Sequence, residues 1–157
     1  MTFYARHLLL VLCMALVACS HGLPNDANVM ASWQRDKAKL TELAEFLVSD
    51  ETIHEVKYGI VLGRDLNPKV DIADRLKKLL PSQCERAYRY RSNEKEVRFI
   101  YALSGTTLGG RQKGIAYIIG KPELLYKSLD FAVEPKKEGE YYRHIEGPWY
   151  VYMEHDD

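Results

Sequence analysis

Cysteine is scarce, with three in 157 residues, at positions 13, 19 and 84. That is too few for the disulfide framework that holds many small secreted domains together. Net charge is absent as well, since 22 basic residues face 22 acidic ones. The total therefore marks no surface for nucleic acid. No apolar run has the roughly 20 residues needed to cross a bilayer; Leu8 to Ala18 supplies only eleven. Internal repeats and low-complexity tracts are missing too, which removes solenoid and fibrous architectures.

What the N-terminus does contain is an ordered series of parts. Arg6 and His7 precede the apolar run, and Leu16-Val17-Ala18-Cys19 closes it. A short positive region, an apolar core and a small residue before the cut are the elements of a secretory signal. The Leu-Val-Ala-Cys tetrad resembles the lipobox of bacterial lipoproteins. That resemblance covers this segment alone, and implies that the Cys19 thiol receives a lipid, that the chain is cut before it, and that the new amine is acylated too. A retained membrane anchor and an ordinary cleaved signal are the competing readings. No cofactor is expected beyond the covalent lipid at Cys19, with palmitate-type chains. In lipoproteins of bacteria with two membranes, Ser at the next position, here Ser20, accompanies outer-membrane sorting. The implied location is the outer membrane facing the periplasm, or the outer face of the plasma membrane in a single-membrane source.

Three regions follow: a signal peptide over 1–18, a lipidated N-terminus and tether over 19–30, and one globular domain over 31–157. Cys13 leaves with the signal and Cys19 is consumed by the lipid, so Cys84 stands alone in the mature domain and no intramolecular disulfide can form. The domain must hold together by its core, and Cys84 reads as a buried, inert strand residue.

Composition changes along the mature chain. Its first part is rich in Leu, Ala and Lys, whereas nine of the eleven tyrosines fall between Tyr88 and Tyr152, so helices come first and sheet follows. Trp33, Leu40, Leu43, Ala44 and Leu47 have the spacing of one helical face, with Ser32 as cap. A second helix is predicted from Asp71, carrying Ile72, Leu76, Leu79 and Leu80, and Pro81 stops it. Thr52 to Leu62 fits both periods and leans towards helix. Cys84, Tyr88 and Tyr90, then Val97, Phe99, Tyr101 and Leu103, alternate as strands about a turn at Asn93. Ser104 to Lys113 reads as a Gly-rich connection leading to a strand at Ile115, Tyr117 and Ile119. Pro122 to Leu129 reads as a short helix, 134–139 as a charged loop, and Tyr141–Ile145 and Trp149–Met153 as final strands. The expected fold is α+β, with N-terminal helices packed on an antiparallel sheet of four to six strands.

Chemical motifs are sparse. Gly105-Thr-Thr-Leu-Gly-Gly110 has phosphate-loop spacing, but Arg111 and Gln112 stand where Lys and Ser or Thr are needed. The bland reading is a hairpin connection; the sharper one makes Arg111 and Lys113 contacts for an acidic partner or an anionic envelope polymer. His21, His54, His144 and His155 lack the spacing of a local metal site, and no metal ligand is assigned. Ser104, Ser128 and Cys84 are the possible nucleophiles, with His54 or His144 as base and Asp130 or Glu146 as orienter. Nothing in the sequence joins any such trio, so no catalytic residue is assigned. Arg86, Arg89, Arg91, Lys95 and Arg98 form a locally basic hairpin, which a solvated sheet face paired with Glu85, Glu94 and Glu96 explains as well as a contact patch does. Trp149, Tyr150 and Tyr152 read as core and sheet-edge residues, the alternative being a carbohydrate- or partner-binding face formed by the tyrosines and Trp149.

The function expected from these features is that of a membrane-anchored envelope lipoprotein acting as a non-enzymatic binding or accessory protein, in an inhibitor, immunity or assembly role. Its expected partners are the membrane, through the lipid, and an envelope protein or polymer, without nucleic acid. The alternative is a small envelope hydrolase whose residues converge only in three dimensions.

Overall fold

The computed structural model describes residues 22–57, 60–63, 70–90, 95–106, 109–122, 124–130 and 138–156. The signal, Cys19, the Asn93 turn and residues 134–137 of the charged loop lie outside them. Two helices, α1 (Asp26–Ser49) and α2 (Val70–Leu79), accompany seven strands: β1 (Ile53–Lys57), β2 (Ile60–Gly63), β3 (Arg86–Arg89), β4 (Glu96–Thr106), β5 (Gly109–Ile118), β6 (Gly139–Glu146) and β7 (Trp149–Asp156). The strands form one antiparallel sheet in the order β2-β1-β3-β4-β5-β7-β6. The class is therefore α+β, with seven strands rather than four to six, and the hairpin β1–β2 separates the two helices.

Helix α1 starts well before Ser32. The side chain of Asn25 accepts the amide of Asn28 and caps the helix, which satisfies one of the orphan donors of its first turn. Val29, Trp33, Leu40, Leu43, Ala44 and Leu47 then form its buried stripe. Residues 26–30, read as tether, thus belong to the helix, and Ser32 instead meets Gln83. At the other end the Arg89 guanidinium donates to the carbonyl oxygens of Leu47 and Asp50, the help that exposed carbonyls at a helix C-terminus require. Asp71 lies in the first turn of α2 and Lys77 and Lys78 in its last, complementing the helix dipole; Pro81 follows as the stop.

Three sequence expectations give way to sheet or coil. Thr52 to Leu62 forms the β1–β2 hairpin, because β1 also pairs with β3 and Val56 packs against Ala87 inside the core. Described residues between Pro122 and Leu129 are not helical; Leu125 makes a parallel bridge to Tyr142. The Gly-rich stretch is largely ladder, with Gly105 opposite Gly110 and Thr106 opposite Gly109. Its glycines serve strand pairing and not a phosphate cradle.

One sheet face receives the helices. Trp149 sits there against Trp33, Phe99 and Tyr117, with ring centroids 6.3, 6.0 and 5.0 Å away. Successive strand residues point to opposite faces, so Glu96, Arg98 and Ile100 project from the helix-free face. Gly114 on β5 faces the same way, opposite Ile100 and Tyr152, beside an irregularity in β4. A Cβ there would lie 1.9 Å from the Phe99 carbonyl oxygen. Only glycine permits that approach.

Candidate functional site: an arginine-centred tyrosine cleft

Across the helix-free face, Tyr88, Arg98, Ala116, Tyr150 and His144 form one row, and Arg86, Ile100, Gly114, Tyr152 and Tyr142 the next. Strands β4 and β6 are three positions apart, about 14 Å at the usual spacing. The small residues of β5, Gly114 and Ala116, leave a trough between them. Arg98 from β4 and Tyr142 from β6 meet across it, the guanidinium donating to the phenol oxygen at 2.7 Å.

Arg98 is wholly buried, contrary to the solvated face expected for it. Its Nε donates to Glu96 at 2.6 Å, and its terminal nitrogens lie 2.8 Å from Glu140 and 2.8 Å from Glu154. The guanidinium carbon stands 3.5 Å from the Tyr90 ring centroid and 5.0 Å from that of Tyr152. Such stacking suits the weakly hydrated plane of arginine. Tyr142 has a single proton to donate, and both Glu96 at 2.9 Å and Glu140 at 3.0 Å are placed to accept it. Gln112 donates to Glu154 as well.

One guanidinium thus faces three carboxylates, and their environments set Glu154 apart from Glu140. Burial pushes the Glu154 carboxyl up, only partly offset by Arg98 and Gln112 and reinforced by Asp156 and Glu140. Burial acts on Glu140 in the same direction, but the Tyr90 hydrogen bond, Arg98 and Tyr142 outweigh it and hold that carboxyl below its ordinary value. Burial raises the Tyr142 phenol, so it stays a neutral donor.

Three members of the network, Glu96, Glu140 and Tyr142, line a cleft, with Arg98 buried behind them. A volume of about 630 Å³ opens between Tyr90, Glu96, Glu140 and Tyr142 on one side and Ile118 to Pro122 with Leu124, on the chain leaving β5, on the other. That size falls in the range of ligand-binding clefts. Its lining combines apolar rims with aromatic and carboxylate groups, an arrangement suited to holding a ligand by shape, ring contact and hydrogen bonds at fixed acceptors.

The residues singled out from sequence lie elsewhere. Lys113 is 2% exposed on the helix face, with its Nζ 2.8 Å from Asp26 and 2.8 Å from Asp130. Burial and pairing correct its assignment as a surface contact. Arg111 lies on β5 opposite Ser104 and His155, half-buried. Cys84 is buried, its thiol donates to the Arg86 carbonyl, and burial pushes its pKa up. Ser128 contacts Asp26 and the Asp130 amide. His144 is exposed beside the Gly147 carbonyl and Tyr150, and Glu146 pairs with Lys37. Among the described residues, no hydrogen bond brings His54 or His144 to Ser104, Ser128 or Cys84, and no group of three His, Cys, Asp or Glu side chains is placed to hold a metal. No helix among them is long and apolar enough to cross a membrane.

Asp26 was not singled out, yet it organises a second buried cluster. Its carboxylate receives the Leu129 amide at 2.8 Å and Arg143 at 2.8 Å besides Lys113, while its own amide donates to Asp130 at 2.7 Å. Burial would raise this carboxyl, but Lys113, Leu129 and Arg143 prevail and hold it below its ordinary value. The cluster fastens the start of α1 to β5, β6 and the 128–130 segment.

Compared with protein-family models, with curated proteins and with solved structures, the chain matches none.

Proposed function

We propose that this chain is an envelope lipoprotein held by acyl chains on Cys19, and that it acts as a non-enzymatic binding or accessory protein through the cleft on its helix-free face. The observation that carries the binding role is the cleft itself, with a floor of Tyr142, Glu96 and Glu140, held from behind by buried Arg98, beneath the rim of Ile119 and Leu124. A rigid polar floor gives orientation and the apolar rim gives contact area. The partner is another envelope protein or an envelope polymer, and the location is the outer membrane facing the periplasm, or the outer face of the plasma membrane where there is only one. The lipobox resemblance and Ser20 support the address.

Two experiments test the two halves. In cells given a labelled fatty acid, Cys19→Ser should abolish incorporation; label retained by the variant refutes the attachment site. Residues 20–157, used as soluble bait in native envelope extract, should capture a stoichiometric partner that Leu124→Asp releases. Leu124 is 65% exposed, so the substitution leaves the fold intact. Equal capture by both baits would take the cleft out of the binding role.

A further inference from the structure

Exposed apolar side chains are unevenly placed. Among the described residues, large hydrophobics at least 42% exposed are Ile60, Leu103, Ile119, Leu124 and Leu125, and the last three fall within seven positions on the connection from β5 to β6. Within it, Leu125 and Tyr126 lie along the β6 edge of the sheet, where Leu125 bridges Tyr142 and the Tyr126 amide donates to the Tyr142 carbonyl. The next residue of β6, Arg143, holds Asp26 at the start of α1, and the Asp26 carboxylate also takes the Leu129 amide. The exposed leucines and the point where the chain enters the domain are thus fastened to adjacent positions of one strand.

The length of chain before that point limits where a lipid can be. Leu23 already packs against the core, and only residues 20–22 separate it from Cys19. Four steps of about 3.3 Å give a reach of roughly 13 Å. Acyl chains on Cys19 therefore hold the β6 edge, and not the β2 edge, at the bilayer. The two edges of a seven-stranded sheet lie about 29 Å apart. Exposed Lys121 and Lys127 flank the leucines, and lysine stems can lie along apolar surface while their ammonium groups stay among headgroups.

From this placement we infer that Ile119, Leu124 and Leu125 form a membrane-contacting patch that seats the β6 edge of the domain on the lipid surface in which its own anchor is embedded. This rests on the acylation of Cys19 proposed above. The acyl chains supply stable attachment, and the leucine contact fixes the orientation of the domain on the surface. Because Leu124 also lines the cleft, the cleft rim is brought to the lipid boundary.

The test uses the full, processed protein in vesicles of phosphatidylethanolamine and phosphatidylglycerol, with acylation of Cys19 read by mass spectrometry. An environment-sensitive fluorophore is attached at Leu124→Cys or, as the control on the far edge, at Ile60→Cys; buried Cys84 is shielded from the reagent. Lipids brominated in the acyl chain should quench the label at 124 and leave that at 60 bright. Equal quenching at the two positions on acylated protein overturns the patch while leaving the anchor intact. Shielding of position 124 from an aqueous quencher without quenching by brominated lipid also overturns it, and points to a protein partner or a second copy on the patch. An unacylated Cys19 overturns anchor and patch together.

Discussion

The Arg98 guanidinium lies over the Tyr90 ring at 3.5 Å and forms an ion pair with Glu96 within the same buried cluster. One contact covers the charge and the other balances it. Neither suffices alone, because a buried arginine must be both desolvated tolerably and hydrogen-bonded through most of its five donors.

Removing that cation should be costly. Arg98→Ala leaves Glu96, 3% exposed, without its ionic partner, and breaking a buried pair from one side costs about 3–5 kcal/mol. Urea unfolding of the variant should show a loss of that order. A loss no greater than the roughly 1 kcal/mol typical of exposed pairs would mean that the cluster is wetter than its geometry implies.

Glu154 and Glu140 beside Arg98, together with Asp26, give stability a two-sided dependence on pH. Burial raises Glu154, so the folded state holds its proton more tightly than the unfolded chain does. Stability then grows as pH falls through the folded value, and the gain is complete below the unfolded value of about 4.3. Asp26 and Glu140 have the opposite sign. Burial notwithstanding, Lys113, Leu129 and Arg143 depress Asp26, and Tyr90, Arg98 and Tyr142 depress Glu140. Their contributions are present above the unfolded values and are lost as pH falls through the folded ones. Thermal melts from neutral pH downward should rise before they fall. Glu154→Gln should remove the rise and spare the fall, and a variant that kept the rise would clear Glu154 as its source.

Much of this fold is legible in local pattern, and the exceptions have identifiable causes. The α1 stripe from Trp33 to Leu47, the stop at Pro81 and the alternation from Val97 to Phe99 are each fixed by neighbours a turn or a pleat away. Thr52 to Leu62 satisfies both periods, and only its pairing with β3 decides for strand. The cleft is less legible because its partners are distant in sequence. Arg98 beside Glu96 on alternate positions looks like a solvated face, and besides Tyr90 its cover comes from Tyr142 and Tyr152, 44 residues away or more. Lys113 looks like a loop cation for the same reason, since its ion-pair partner Asp26 is 87 positions upstream. Gly114 gives a hint that was available: a glycine inside an alternating run marks a close approach, and the trough lies at that position.

The Asp26 cluster changes what the smallest self-sufficient domain should be. A boundary at residue 31 follows from reading 19–30 as tether, but it deletes Asp26 and Val29, each only 1% exposed. Without Asp26, Lys113 keeps the partly exposed Asp130 and loses the carboxylate that shares its burial. Breaking that pair should cost about 3–5 kcal/mol, with further loss from the Val29 contacts. Residues 31–157 should therefore unfold at much lower denaturant than residues 22–157. In the longer fragment, Asp26→Asn should account for part of the deficit, since the amide keeps the shape and loses the charge. Equal midpoints for the two fragments would show that the clasp at the start of α1 adds no stability, and would return residues 22–30 to the tether.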